Sequence, residues 1–477
     1  MRTAGWRRGA LIAVGIGLIP FLLVPGRAYL TDPGTLAALI LLELILAALW
    51  RYNARFFLVL LGAFLWAGIP IPFGVAWATG RWFVLAIAAS AGCILYLKER
   101  QLHLTAFHFA AFICTGTALV SAQVSAYPRV ALLKSLSLAL LFLYSATGAR
   151  LGALGREREF LHCFMIGCEA MVYVAAMAYF GFHYPLLGNP NSLGAVMGVV
   201  AVPVFLWGIL SSEDRALRVR FTFAVVVALL LLFSSYARAG MVAAAFSSLL
   251  LCLTLRRYGM LVKGIGVALL LAAVAATFMP REGHPSQSLT TTFVYKGERE
   301  QGLLGSRRSV WDETVAVIRD HPWLGLGFGT SKTSYEEITE QPEAFRSDDS
   351  STREHGNSYL AITEWVGLLG DVPFLFLLML VVTNIGRVVI ALRRSGGVAS
   401  PVVPLAMVVA AGLVHAAFED WLFAVGYYLC VLFWSFAFIL VDLAPRAVAP
   451  LAAAPAVPVP WLGYRQTVFP ADHASVS

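Results

Sequence analysis

The chain is a succession of about fourteen apolar stretches, separated with one exception by short polar gaps. They run near residues 9–25, 33–50, 56–77, 82–97, 104–124, 129–147, 159–182, 191–210, 219–234, 239–255, 259–279, 371–392, 400–418 and 421–443. A helix of ~20 apolar residues matches the hydrocarbon thickness of a bilayer, where every backbone N–H and C=O must be bonded within its own segment. A soluble fold is excluded by composition. Hydrophobic residues make up 59% of the 477 and charged residues 13%, against roughly 25% charged in soluble domains, and no globular interior could hide that apolar surface. The expected fold class is all-α, a polytopic transmembrane helical bundle of about 12–14 spans with one large extracytoplasmic loop containing short helices. The third stretch carries Pro70 and Pro72 and is expected to be broken there.

Lysine and arginine placement tests this count independently. With the N-terminus inside, the inner loops and tail carry 21 of them, including Arg2, Arg7, Arg8, Arg156, Arg158, Arg215, Arg218, Arg256, Arg257, Arg393 and Arg394. The opposite short loops carry four: Arg27, Arg81, Arg129 and Arg238. Such alternation places both termini in the cytoplasm. The net charge of +8 is then a consequence of topology and argues for no nucleic-acid partner. Gly26-Arg27-Ala28 is a poor cleavage site, so the first stretch reads as a retained helix. The six cysteines lie in apolar stretches without a CxxC or His/Cys spacing, so they suggest neither disulfides nor zinc.

The exception is residues 280–357, a polar excursion that parity puts outside the cytoplasm. It holds nine of the 35 lysines and arginines and 13 of the 27 acids. Trp311, Val315 and Ile318 recur at helical spacing, His321-Pro322 ends that helix, and Gly325, Gly327 and Gly329 follow in a turn. His321 reads as a helix C-terminal residue interacting with the dipole. Four parts result: an N-terminal bundle at 1–279, the outer loop at 280–357, C-terminal spans at 358–443, and an Ala/Pro-rich cytoplasmic tail at 444–477 expected to be disordered.

Four motifs stand in order along this chain. They are Gly188-Asn189-Pro190-Asn191-Ser192-Leu193-Gly194; Ser234-Ser235-Tyr236-Ala237-Arg238-Ala239-Gly240; Gly305-Ser306-Arg307 with Trp311 and the Pro322…Gly325…Gly327 turn; and Glu354-His355-Gly356-Asn357-Ser358-Tyr359-Leu360 followed by Glu364, Gly367 and Gly370. Over roughly 185–372 this set resembles the O-antigen ligase and O-antigen polymerase superfamily. The resemblance implies a membrane glycosyltransferase of the bacterial inner membrane. It would move a glycan from a polyprenyl-pyrophosphate carrier to a hydroxyl of a glycan or lipid-core acceptor, with no nucleotide and no obligatory metal.

That reaction needs fixed cations beside a departing pyrophosphate and a base beside the acceptor hydroxyl. The resemblance assigns the cations to Arg238 and Arg307 and the base to His355, with Glu354 as the alternative base. The family pattern has histidine directly before asparagine, whereas here Gly356 intervenes. Arg308 reads as a solvated neighbour or a second phosphate contact, and Asn357 as a substrate-binding candidate within the fourth motif. Asn189 and Asn191 fit either sugar and phosphate binding or a turn before a helix. His415 and Glu419, four apart on one helix face at the outer end of a span with Asp420 beside them, fit metal ligands, a substrate-binding or acid–base pair, or, lacking a third ligand, an interfacial polar patch. Glu43, Lys134 and Glu169 lie inside spans, where an inter-helix ion pair with Lys134 is the simplest role. Ligase and polymerase share this chemistry and differ in acceptor. A transporter of lipid-linked sugar would show paired repeats, and none is apparent here.

Overall fold

The computed structural model describes residues 53–68, 74–98, 103–184, 186–278, 305–331, 354–395 and 398–448. The first two apolar stretches, Glu43, Pro70, Pro72 and the tail beyond 448 lie outside the described residues. The remaining twelve stretches all fall on helices. In chain order the helices are α1 (Asn53–Ala67), α2 (Gly74–Lys98), α3 (Ala106–Ser121), α4 (Pro128–Ala153), α5 (Glu157–Gly181), α6 (Pro190–Ser211), α7 (Arg215–Ser234), α8 (Arg238–Thr254) and α9 (Tyr258–Phe278). After the loop come α10 (Gly305–Asp320), α11 (Ser358–Ser395), α12 (Val402–Ala416) and α13 (Tyr428–Val448). No strand occurs among the described residues. Seven of these helices are long and apolar enough to cross a membrane, and α3, α8, α9 and α12 contain shorter apolar helices. This is a polytopic helical membrane protein.

Two boundaries depart from the hydropathy reading. The span expected to start at 371 belongs to a helix that starts at Ser358, because polar Glu364 and Asp371 turn into the protein rather than to solvent. The span expected to start at 421 starts at Tyr428, because Trp421 to Tyr427 form a buried apolar turn that hydropathy cannot distinguish from helix.

α6 and α13 are the most enclosed spans, with 83% and 89% of their apolar windows inside the protein. Small residues allow α8 to lie against α6: a Cβ on Gly198 would come within 2.1 Å of the Gly240 carbonyl oxygen, and one on Gly194 within 2.1 Å of the Ala237 Cβ. That contact fixes the start of α8, and with it Arg238, beside the start of α6.

Polar ties gather the connections at two ends. At one end Arg150 grips Asp442 through two bonds, Nε to Oδ2 at 2.6 Å and Nη2 to Oδ1 at 2.7 Å. Trp207 donates to the Val398 carbonyl at the same end, at 2.6 Å. At the other end Ser121 donates to the Leu324 carbonyl at 3.2 Å, and Tyr427 to the Ser192 hydroxyl at 3.2 Å. Glu169 is paired with Arg220 at 2.8 Å rather than with Lys134, whose Nζ donates to the Gly329 carbonyl at 2.9 Å.

The basic connections around Arg156 and Arg158, Arg215 and Arg218, and Arg256 and Arg257 share the Arg150 end, and α10 with its following turn lies at the other. Lysine and arginine bias predicts that the Arg150 end faces the cytoplasm. In intact spheroplasts an impermeant thiol reagent should label Ala316→Cys on the exposed face of α10 and spare Glu213→Cys in the α6–α7 connection, each read above the unsubstituted chain. The reverse pattern would invert the orientation.

Candidate functional site

The site is organised by a break in α11. At Gly367 the backbone turns to φ +67°, so the carbonyls of Glu364 and Trp365 lose their helical partners. The segment after α10 supplies replacements. Leu326 N donates to the Glu364 carbonyl at 2.9 Å and Gly327 N to that of Trp365 at 3.0 Å, while Leu368 N donates to the Pro322 carbonyl at 2.7 Å. Such close backbone approach excludes side chains at two points. A Cβ on Gly325 would lie 2.4 Å from the Glu364 carbonyl oxygen, and one on Gly367 would lie 2.3 Å from the Trp323 carbonyl carbon. The glycine-spaced turn read from the sequence is thus the piece that closes the break, and it delivers Ser331 to the foot of α11.

His355 lies in the turn before α11 and is fully buried. Its backbone N–H donates to Asp420 Oδ2 at 2.8 Å, and ring Nδ1 is 3.2 Å from the same oxygen. Nε2 is 3.0 Å from Glu364 Oε1 and 3.0 Å from Ser331 Oγ, and the ring stands edge-on to Trp365 at 5.5 Å. Burial alone would lower the histidine's pKa, but the bonds to Asp420 and Glu364 outweigh it and raise the pKa above the ordinary value. Asp420 moves the other way: burial would raise it, and its bonds from the His355 ring and backbone hold it below the usual carboxylate range. A ring with a carboxylate on each nitrogen is built to hold a proton and to orient it.

Arg307 sits in the first turn of α10 with its fork spread over two carboxylates, Nη1 to Glu354 at 2.6 Å and Nη2 to Glu419 at 2.5 Å. Glu354 is 66% exposed and Glu419 only 19%, so Glu354 is the partner that solvent weakens. The inserted Gly356 lies flat under this guanidinium. Its φ is +60°, and a Cβ there would come within 2.5 Å of Arg307 Nη1. Trp311 Nε1 donates to the Gly356 carbonyl at 3.2 Å, which gives the Arg307–Trp311 spacing a physical purpose.

The other candidates divide. Arg238 is half-buried at the start of α8, at the same end of the bundle. Arg308 is 83% exposed and only 3.9 Å from Asp312, in the position of a solvated neighbour. Asn189 caps α6, its Oδ1 accepting from Ser192 N at 2.7 Å, and Asn191 is half-buried in the first turn of that helix. Asn357 caps α11, accepting from Tyr359 N at 2.8 Å and Leu360 N at 3.2 Å. The shared helix face of His415 and Glu419 is not seen, because α12 ends at Ala416. His415 instead faces the core and accepts from Trp421 Nε1 at 2.8 Å, while Glu419 turns to Arg307. His321 directly follows α10, its N–H donating to the Val317 carbonyl at 3.0 Å. Sequence reading gave no role to Asp420, Glu364 or Ser331. Asp420 beside Glu419, and Glu364 nine residues after His355, were the available signals.

A family model described as O-antigen ligase matches residues 223–375. It takes in Arg238, Arg307, Glu354, His355 and Glu364, and stops before Glu419 and Asp420. No curated protein matches the chain.

Two outcomes follow from this geometry. Gly356→Ala forces an L-residue into the left-handed region, at about 1–2 kcal/mol, and pushes the Arg307 fork away. It should lower the Tm of the purified protein and reproduce the functional loss of Arg307→Ala. Unaltered behaviour would show that Gly356 is only a spacer. Because the folded pKa of His355 is raised, its stabilisation is complete below the unfolded value of ~6.5 and is lost as pH rises through the folded one. The Tm gap between wild type and His355→Gln should therefore narrow on going alkaline, and a gap that widened would contradict the paired imidazolium.

Proposed function

We propose, from the match of residues 223–375 to the O-antigen ligase family model, that the chain is a member of the O-antigen ligase and polymerase superfamily and transfers a glycan from a polyprenyl-pyrophosphate carrier to an acceptor hydroxyl in surface polysaccharide biosynthesis. The observation that carries this reading is the pairing of an arginine fork with a buried, carboxylate-held histidine, Arg307 and His355, across the single residue Gly356.

In the proposed reaction the bond between the anomeric carbon and the pyrophosphate oxygen breaks, and a bond from the acceptor oxygen to that carbon forms. Negative charge grows on the leaving pyrophosphate, which Arg307 meets by exchanging its exposed partner Glu354 for phosphate oxygens. Arg238 is the second phosphate arginine, and Arg308 an outer contact. The acceptor proton passes to neutral His355, whose imidazolium is then held by Asp420 and Glu364. Glu354, once released from Arg307, is the alternative base. The site end faces the periplasm, the chain is a multi-pass protein of the bacterial inner membrane with both termini cytoplasmic, and residues 280–357 are its catalytic loop between the spans of 1–279 and 358–443. The acceptor is a lipid core for a ligase or the next lipid-linked repeat for a polymerase.

Arg238→Ala and Arg307→Ala should each lower transfer by roughly 10²–10³-fold with normal insertion, and lysine at either position should restore only part because the planar fork is lost. His355→Ala should abolish transfer while the lipid-linked donor still binds, and Glu354→Gln should cost less. Wild-type turnover in both arginine variants would refute the leaving-group role. The opposite ranking of His355→Ala and Glu354→Gln would move the base to Glu354. Deletion separates the acceptors: long chains held on the carrier mark a ligase, and single repeats a polymerase.

A further inference from the structure

Arg81, the eighth residue of α2, stands at the site end with no counter-ion among the described residues. Its Nη1 donates to the Gly426 carbonyl at 2.9 Å, and its guanidinium carbon lies 5.0 Å from the centre of the Trp82 ring. The Nε is buried with no hydrogen-bond partner, and no carboxylate pairs with Arg81 among the described residues. An arginine at a bilayer boundary ordinarily extends to the lipid headgroups. This one turns inward and is half-buried, and among the described residues its charge meets no carboxylate and its Nε no acceptor.

Its hydrogen bond to Gly426 is informative. Gly426 belongs to the α12–α13 connection, the segment that supplies Glu419 to Arg307 and Asp420 to His355. The next residue, Tyr427, feels the charge of Glu419 and bonds to Ser192 at the start of α6. Arg81 therefore flanks the same segment as the Arg307–His355 cluster. Phosphate and carboxylate oxygens are the groups that an open arginine fork takes best.

We infer that Arg81 is an oxyanion-binding residue of the substrate site, taking a phosphate of the carrier or a carboxylate of the glycan; this rests on the glycosyl-transfer reading. The test uses the full chain in lipid nanodiscs. It measures binding of undecaprenyl pyrophosphate, of undecaprenol as the uncharged control, and of an oligosaccharide of glucuronic acid. Arg81→Gln should weaken one of the two anionic probes by about tenfold, the equivalent of one charged hydrogen bond, and leave undecaprenol unchanged. Arg81→Lys, which keeps the charge and can still reach the Gly426 carbonyl, should fall between. Loss confined to the pyrophosphate identifies the carrier, and loss confined to the uronate identifies the glycan. Unchanged affinity for both anions, or equal losses for all three probes with a lowered Tm, would overturn the role and leave Arg81 a packing residue. A wild-type chain that bound neither anion would overturn the glycosyl-transfer reading as well, so the two failures are distinguishable.

Discussion

A helix interrupted at the edge of a membrane leaves carbonyls that neither water nor lipid can satisfy, and the architecture around the site follows from how this chain meets that demand. The break at Gly367 releases the carbonyls of Glu364 and Trp365, and the backbone of Leu326 and Gly327 takes them. Because these bonds join the loop after α10 to the start of α11, they set the position of everything carried by either piece. Glu364 and Ser331 meet under His355, and Arg307 at the head of α10 is brought over Gly356. The three positive-φ glycines of the turn are therefore structural requirements of the site.

The charges around that frame are weighted toward the carboxylates. Arg307 and the His355 ring face Glu354, Glu364, Glu419 and Asp420. A resting site with this excess of carboxylates repels a pyrophosphate unless one acid yields. Exposure singles out Glu354, since Glu364 is fully buried and Glu419 and Asp420 are anchored in the α12–α13 connection. Exchange of Glu354 for a phosphate on Arg307 would make donor binding and release of the base candidate a single event.

Much of this was legible in the sequence. Apolar length located the twelve described apolar helices, seven of them long enough to cross a membrane, because the bilayer enforces such length on the chain directly. Arg307, Trp311 and the glycine turn were found because their spacing is local. What escaped depends on contacts between distant segments. Nothing within residues 400–443 shows that α12 stops at Ala416, and so the i, i+4 relation between His415 and Glu419 reads as a helix face that does not exist. Asp420 lies 65 residues from the ring it holds, and no pattern in one chain reports such a pairing. Gly356 illustrates the intermediate case: the insertion was visible, while its use as a flat bed for a guanidinium needed coordinates.

The site also crosses the divisions that hydropathy suggests. The matched segment ends at residue 375, inside α11, yet the acids that hold Arg307 and His355 most firmly come from the α12–α13 connection beyond it. The same connection reaches α6 through Tyr427 and Tyr428 and α2 through Gly426. A short buried turn between two spans is thus tied to the early bundle, to the loop and to the late spans at once. Its backbone and side-chain bonds are made to residues on both sides of the loop. A shift of α2 or α6 would consequently alter the charge environment of His355 through that connection. The family match is confined to the loop and its neighbours, whereas the remaining bundle sets where the charges of the proposed chemistry stand.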